Sequence, residues 1–219
     1  MIREKKYDEA MKSLDRASEL DLSSDSEALV WYGKGNVLKI KQRYDEALAC
    51  YDKAIEFSNK AIEFSSGESL FMGDSSIRSI WMTKSLLLCD LHRYDEAIKC
   101  FDKVIELDPN YSDIWAAKGR VLNDLHRYDE AIISLDKLLE LNPIHAAGWG
   151  NKGIALTQIG KYDEAIRCFE KSMKLDPTNE TILSNKSYAI RLRENKIKYY
   201  THEGKPIKYY TSDGKPVYD

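Results

Sequence analysis

The sequence predicts an all-α protein assembled from a repeated pair of helices, and three observations predict it. The tetrapeptide Tyr-Asp-Glu-Ala occurs five times, ending at Ala10, Ala47, Ala97, Ala131 and Ala165, and the last three copies are 34 residues apart. Trp81, Trp115 and Trp149 keep the same spacing. So do Pro109, Pro143 and Pro177. One period shared by three unrelated markers is the mark of tandem structural units, each too small to bury its own apolar face.

Taken in order, residues 1–21 supply only the second helix of a unit, with Tyr7 to Ala10 at its start. Full units follow at 28–61, 78–111, 112–145 and 146–179. Within a unit, Trp at position 4, a small residue at 8 and an apolar residue at 11 share one helical face. Ala at 20, a larger apolar residue at 24 and a small residue at 27 share another. The third unit has Trp115, Gly119, Leu122, Ala131 and Leu135 at 4, 8, 11, 20 and 24, and Pro143 at 32. The small residues at 8 and 20 let the two helices approach closely, and Pro at 32 ends the second helix because it has no amide proton and clashes with a continuing turn. Trp115 is expected to be a core residue. Residues 180–196 read as one more first helix, a cap, with Leu183 where Trp would stand and Arg191, Arg193 and Lys196 on its polar side.

Position 4 Trp, 8 Gly, 20 Ala, 24 aromatic or apolar and 32 Pro at a 34-residue period resembles the tetratricopeptide repeat. The resemblance covers residues 1–196 and implies a right-handed superhelix of α-α pairs, a solenoid that binds proteins or peptides along its concave side. One position departs from the family, which usually has Leu at position 7. Here Lys34, Lys84, Lys118, Lys152 and Lys186 stand there. A lysine stem can cover the Trp edge while its ammonium reaches water.

Two segments break the period. Residues 62–77 are inserted, and part of the cause is a seven-residue duplication, KAIEFSN at 53–59 followed by KAIEFSS at 60–66. Seven residues are nearly two turns, so the second helix should lengthen without much rotation of its apolar face. The remainder, residues 66–76, reads as loop, with Leu70, Phe71 and Met72 either covering the lengthened helix or closing over the groove. The other segment is 197–219, where IKYYTHEGKP and IKYYTSDGKP stand in tandem before Val217, Tyr218 and Asp219. Tyr-rich runs separated by Glu-Gly and Asp-Gly are hairpin signals. Three short strands, a small β-meander, are expected, with Pro206 and Pro216 opening the second and third. A meander of this size is marginally stable alone, which leaves packing on the solenoid, pairing with another chain, or disorder.

Composition excludes several classes of function. Of 219 residues, 33 are Lys or Arg and 36 are Asp or Glu, a formal net charge of -3, so no electrostatic footprint for nucleic acid is present. The start, MIREKKYDEAMK, lacks the apolar core of a secretion signal, and no stretch approaches the roughly 20 apolar residues of a membrane helix. A soluble cytoplasmic protein with no membrane partner is expected. Cys50, Cys100 and Cys168 occupy equivalent positions, and neighbouring units about 10 Å apart cannot meet disulfide geometry, so buried free thiols are expected.

No catalytic constellation survives the repeat. Asp and Glu of Tyr-Asp-Glu-Ala open the second helix, where acids complement the helix dipole. His92 and His126 sit at equivalent turns, and His145 and His202 have no ligand at metal spacing. No glycine-rich phosphate loop or nucleophile elbow appears. Neither enzyme activity, cofactor nor metal is expected.

In the family the ligand lies on first-helix positions 2, 5, 6, 9 and 12 to 13. The resemblance therefore implies a groove containing Tyr32, Asn36, Met82, Leu86, Asp113, Arg120, Asn123, Asn151, Ile154 and Tyr188. Leu29, Lys39, Ser79, Thr83, Cys89, Ala116, Asp124, Gly150, Thr157, Thr181, Ser184, Asn185 and Arg191 complete it. Co-chaperones of the family that grip an acidic C-terminus use five Lys, Arg and Asn positions, occupied here by Tyr32, Asn36, Thr83, Asp113 and Ala117. One match in five speaks against that clamp. The asparagine ladder of the sugar-nucleotide transferases' arm is met at Asn151 and Asn185 only. Two functions are expected from different classes: a scaffold binding a protein or peptide in the groove, or a self-assembly module forming homo-oligomers through the N-terminal helix and the tail.

Overall fold

The computed structural model describes residues 2–20, 22–64, 70–199, 207–210 and 216–218. Ten helices and two strands are seen among them: α1 (Ile2–Ala17), α2 (Ser24–Ile40), α3 (Tyr44–Phe64), α4 (Leu70–Asp90), α5 (Tyr94–Leu107), α6 (Ser112–Asp124), α7 (Tyr128–Leu141), α8 (Ala146–Gln158), α9 (Tyr162–Leu175), α10 (Glu180–Tyr199), β1 (Ile207–Tyr210) and β2 (Pro216–Tyr218). They form two compact units, residues 1–109 and 110–219. In the first, α1 packs on α2, α2 on α3, α3 on α4 and α4 on α5. In the second, each of α6 to α9 packs on its successor, and the first helices α6, α8 and α10 also touch in sequence. No helix among the described residues is long and apolar enough to cross a membrane.

The small-against-large rule holds at atomic distance. A β-carbon on Gly35 would come within 2.5 Å of the Tyr51 ring, one on Gly119 within 2.6 Å of Leu135 Cγ, and one on Gly153 within 2.6 Å of the Phe169 ring. At these three glycines even a methyl group would force the partner helix to shift, while the pair containing Phe101 is built around serine, Ser85. Ala47, Ala97, Ala131 and Ala165, and their partners Tyr51, Phe101, Leu135 and Phe169, are all 0% exposed.

The tight turn inside each pair has one conformation throughout. Arg43, Arg93, Arg127 and Lys161 donate their backbone N–H to Leu38, Leu88, Leu122 and Leu156, the six-to-one bond of a Schellman cap. The residue before each donor is left-handed: Gln42 at φ 59°, His92 at 57°, His126 at 59° and Gly160 at 79°. Only the last uses the residue suited to it. His92 and His126 are therefore turn residues, with ring Nδ1 2.8 and 2.7 Å from the hydroxyls of Tyr94 and Tyr128.

Three expectations are corrected. Residues 70–76 are helix, not loop, because α4 begins at Leu70. The inserted stretch thus lengthens both helices: α3 and α4 have 21 residues each, against 14 in α5, α7 and α9. A chain continuing in helical register on both strokes satisfies its own backbone, which a long loop would not. The two readings of Leu70, Phe71 and Met72 concern side chains outside the described residues. Secondly, Trp115 is half-buried rather than core, as are Trp31, Trp81 and Trp149. The core at this level is taken by the preceding residue, Ile80 and Ile114 being 1% and 0% exposed. Thirdly, two strands rather than three are seen among the described residues of the tail. Ile207 to Tyr210 pair antiparallel with Pro216 to Tyr218, while Ile197 to Tyr199 of the first copy extend α10. Helix elongation from an existing end adds one bond for each residue fixed, so it wins over founding a new strand. β1 lies against α10; residues 200–206 lie outside the described set.

Gln42 is exposed and holds a left-handed backbone that costs a side-chain-bearing residue more than glycine. Gln42→Gly should therefore raise stability by about 0.5–1 kcal/mol, read as a higher thermal midpoint.

Candidate functional site

The lysines at position 7 show how the first helices are held. Lys34 is only 8% exposed, with Nζ 4.7 Å from the Trp31 ring centre, and that ammonium reaches Asp15 of α1 at 2.9 Å. Lys84 bonds Asp52 of α3, and Lys152 bonds Asp136 of α7. Lys186 reaches Glu170 of α9 at 2.9 Å. Each of these four ion pairs joins a first helix to the second helix before it. The ammonium groups of Lys84, Lys118 and Lys152 lie 5.6–5.9 Å from Trp81, Trp115 and Trp149. The lysine snorkels as expected, but to a fixed acid.

In unit 1 the first helices α2 and α4 present Tyr32, Asn36, Met82, Thr83 and Leu86. Three of these are tied together from within. The Tyr51 hydroxyl donates to Asn36 Oδ1 at 2.9 Å, the Tyr32 hydroxyl and Thr83 Oγ1 are 2.9 Å apart, and the Tyr32 and Tyr51 rings are 5.9 Å apart. Burial pushes the Tyr51 hydroxyl far above the usual phenol range. Tyr32 and Asn36 are thus partly engaged in joining α2, α3 and α4. Leu86 and Leu29 stay open, at 44% and 60% exposure, and Met82 is half-buried.

In unit 2 the face comprises α6, α8 and α10. Asp113 and Arg120 are exposed, and Arg120 meets Asp124 at 3.6 Å one turn on, a solvated pair. Asn123 is turned toward α8, its Nδ2 donating to the Asn151 carbonyl at 2.9 Å. Its Oδ1 is buried without a protein donor among the described residues. Asn151 and Ile154 are half-buried, and Tyr188 is 43% exposed beneath the Arg191 guanidinium at 5.4 Å.

Three further positions assigned to the groove face inward. Cys89 and Thr157 are buried, with Thr157 Oγ1 donating to the Gly153 carbonyl. Gly150 is pressed against Ile182 of α10, where a β-carbon would come within 2.5 Å. Position 12 and, in this repeat, position 5 are helix-to-helix contacts that periodicity alone could not separate from ligand positions. Sequence reasoning also missed the cap of α8, where His145 Nδ1 accepts the Gly148 N–H at 2.9 Å.

None of the four cysteines forms a disulfide, and all four are buried. Burial raises the thiols of Cys50 and Cys168 and pushes that of Cys100 up to about 11. No group of three metal-ligating side chains occurs among the described residues.

Two measurements follow from this geometry. A double-mutant cycle of Tyr32→Phe and Thr83→Val should return a coupling of about 0.5–1.5 kcal/mol, since the two hydroxyls satisfy each other. With a disulfide reagent at about pH 8, the four thiols should react at least about tenfold more slowly in the native protein than in denaturant, because all four are buried and the thiolate is made scarcer at Cys50, Cys100 and Cys168.

Two family models, each described as tetratricopeptide repeat, match the chain. One covers residues 28–63, 86–111 and 146–179, the other 100–133. No curated protein matches. Among solved structures, YrrB, described as a TPR protein with an unusual peptide-binding site, is 23% identical over 84% of each chain, with a TM-score of 0.65. A tetratricopeptide repeat protein from Parabacteroides merdae is 16% identical, covering 90% of this chain and 70% of that one, with a TM-score of 0.66. The first TPR of Spaghetti (RPAP3), bound to an HSP90 peptide, is 20% identical over 53% of this chain and 93% of its own, with a TM-score of 0.52. At such identities the likeness concerns the fold. With the matched models spanning more than half of its residues, the chain belongs to the tetratricopeptide repeat family.

Proposed function

We propose that this protein is a scaffold that holds a segment of another protein, a peptide, against its first helices. The observation that carries the reading is the face of unit 2, where exposed Asp113 and Arg120 on α6, Asn151 and Ile154 on α8, and Tyr188 on α10 share successive first helices. Charge, amide and apolar groups alternate there in the way a peptide backbone with side chains requires. Unit 1, taken by itself, has a more apolar face that includes Met82, Leu86, Tyr32 and Asn36. Asn123, bonded to α8, serves as a strut. The relatives described with a peptide site or a bound peptide support the reading as analogy of fold.

Arg120 is the sharpest point of this proposal. Its bond to Asp124 is long and solvated, worth a few tenths of a kcal/mol, so the guanidinium is available to a carboxylate or carbonyl of the ligand. Removing a charge-assisted hydrogen bond of that kind typically costs about 1.5–3 kcal/mol, roughly 10- to 100-fold in affinity. Affinity capture from the native cell extract, with wild type beside Arg120→Ala and Asn151→Ala, tests this. The expected result is loss of a specific protein from both variants with thermal midpoints nearly unchanged; identical capture by all three proteins would refute the site.

A further inference from the structure

In each complete helix pair the faces at positions 20, 24 and 27 are sealed by the first helix, with exposures of 0–1% throughout. The helix α1 is of the second kind, and its counterparts Ala10, Leu14 and Ala17 are all only half-buried. Part of Leu14 is used against Gly33 of α2, whose β-carbon position lies 3.1 Å from Leu14 Cδ2; the face as a whole is only partly covered. The helix α10 is of the first kind. Its position 4, Leu183, is 52% exposed, its position 8, Ser187, is exposed, and its position 11, Ile190, is half-buried. In α2, α4, α6 and α8 position 4 is half-buried and positions 8 and 11 are buried. The strand β1 packs on α10 but leaves Leu183 and Ser187 to solvent.

The two open faces are complementary halves of one contact that the chain already makes internally. Serine is accepted at position 8, since Ser85 is 0% exposed in the pair that contains Phe101. Leucine is accepted at position 24, since Leu135 fills the space beside Gly119. We propose that α1 of a second copy docks on α10, completing an intermolecular helix pair with Leu14 over Ser187 and Ala10 beside Ile190. The junction continues the helix packing on both sides, because α1 already packs on α2 and α10 on α9. It is a heterologous contact, one face meeting a different face, so it repeats from copy to copy.

The experiment is sedimentation velocity across a concentration series, with circular dichroism melting of each variant. Wild type should exceed the 25.2 kDa monomer as concentration rises, and Leu183→Glu or Ser187→Arg on α10, or Ala10→Arg on α1, should each abolish growth. Leu183 and Ser187 are already in water, so these changes leave the monomer folded. Mixing Ser187→Arg with Ala10→Arg restores one good junction and should yield a species of about twice the monomer mass and no larger. A wild type that stays monomeric overturns the proposal. So does association that survives Leu183→Glu and Ser187→Arg, or a mixture that stays monomeric while both variants are folded. If Ala10→Arg melts early, Leu183→Glu mixed with wild type decides: it must shorten the wild-type assemblies by capping them.

Discussion

The close approach of a small residue at position 8 to a large one at position 24 is the constraint on which the molecule depends. Glycine or serine there lets a tyrosine, phenylalanine or leucine lie against the backbone of the facing helix, and alanine at position 20 admits the same approach from the other side. With that spacing set, Ile80, Ile114 and Ile182 can seal the level where the tryptophans only half enter. The Schellman turn then brings the chain back at the one distance the pair allows. Three of the four turns hold a side chain in the left-handed region, which shows how much the packing outweighs local backbone preference.

Neighbouring pairs are linked by a second device that the family pattern does not include. Lysine in place of leucine at position 7 lays its stem along the tryptophan edge and sets its ammonium on an acid of the preceding second helix. The three aspartates are more than half exposed, so each bond is weak as a source of stability. Its repetition at Asp15, Asp52, Asp136 and Glu170 fixes register, since a helix slipped by one residue would lose the pair and uncover the indole. Within each unit the pair ties a first helix to the second helix before it.

The two irregular segments show how context decides the fate of a duplicated sequence. In the duplicated run of α3, residues 53–64 are continuous helix, because a seven-residue repeat keeps the apolar stripe in phase. Ten residues repeated in the tail divide: Ile197 to Tyr199 prolong α10, and Ile207 to Tyr210 form β1. The same Ile-Lys-Tyr run adopts two backbones because one copy begins at a helix end and the other does not. Local propensity is a weak prior beside such a boundary.

The sequence by itself determined the helix pairs, their period, the small and large positions and the burial of Cys50, Cys100 and Cys168, because each follows from the 3.6-residue repeat and side-chain volume. It also marked the lysines as snorkelling residues. Only tertiary structure decided where their ammonium groups go, since Lys34 and Asp15 are joined by a packing of helices that no local pattern encodes. For the same reason it separated Tyr32, Asn36 and Asn123, held by internal hydrogen bonds, from Asp113 and Arg120, which remain exposed on the same kind of face. It likewise buried Cys89, Thr157 and Gly150, which the family resemblance had grouped with the groove. Periodicity assigns a residue to a face, whereas its neighbours across the interface determine whether that residue is left to bind anything.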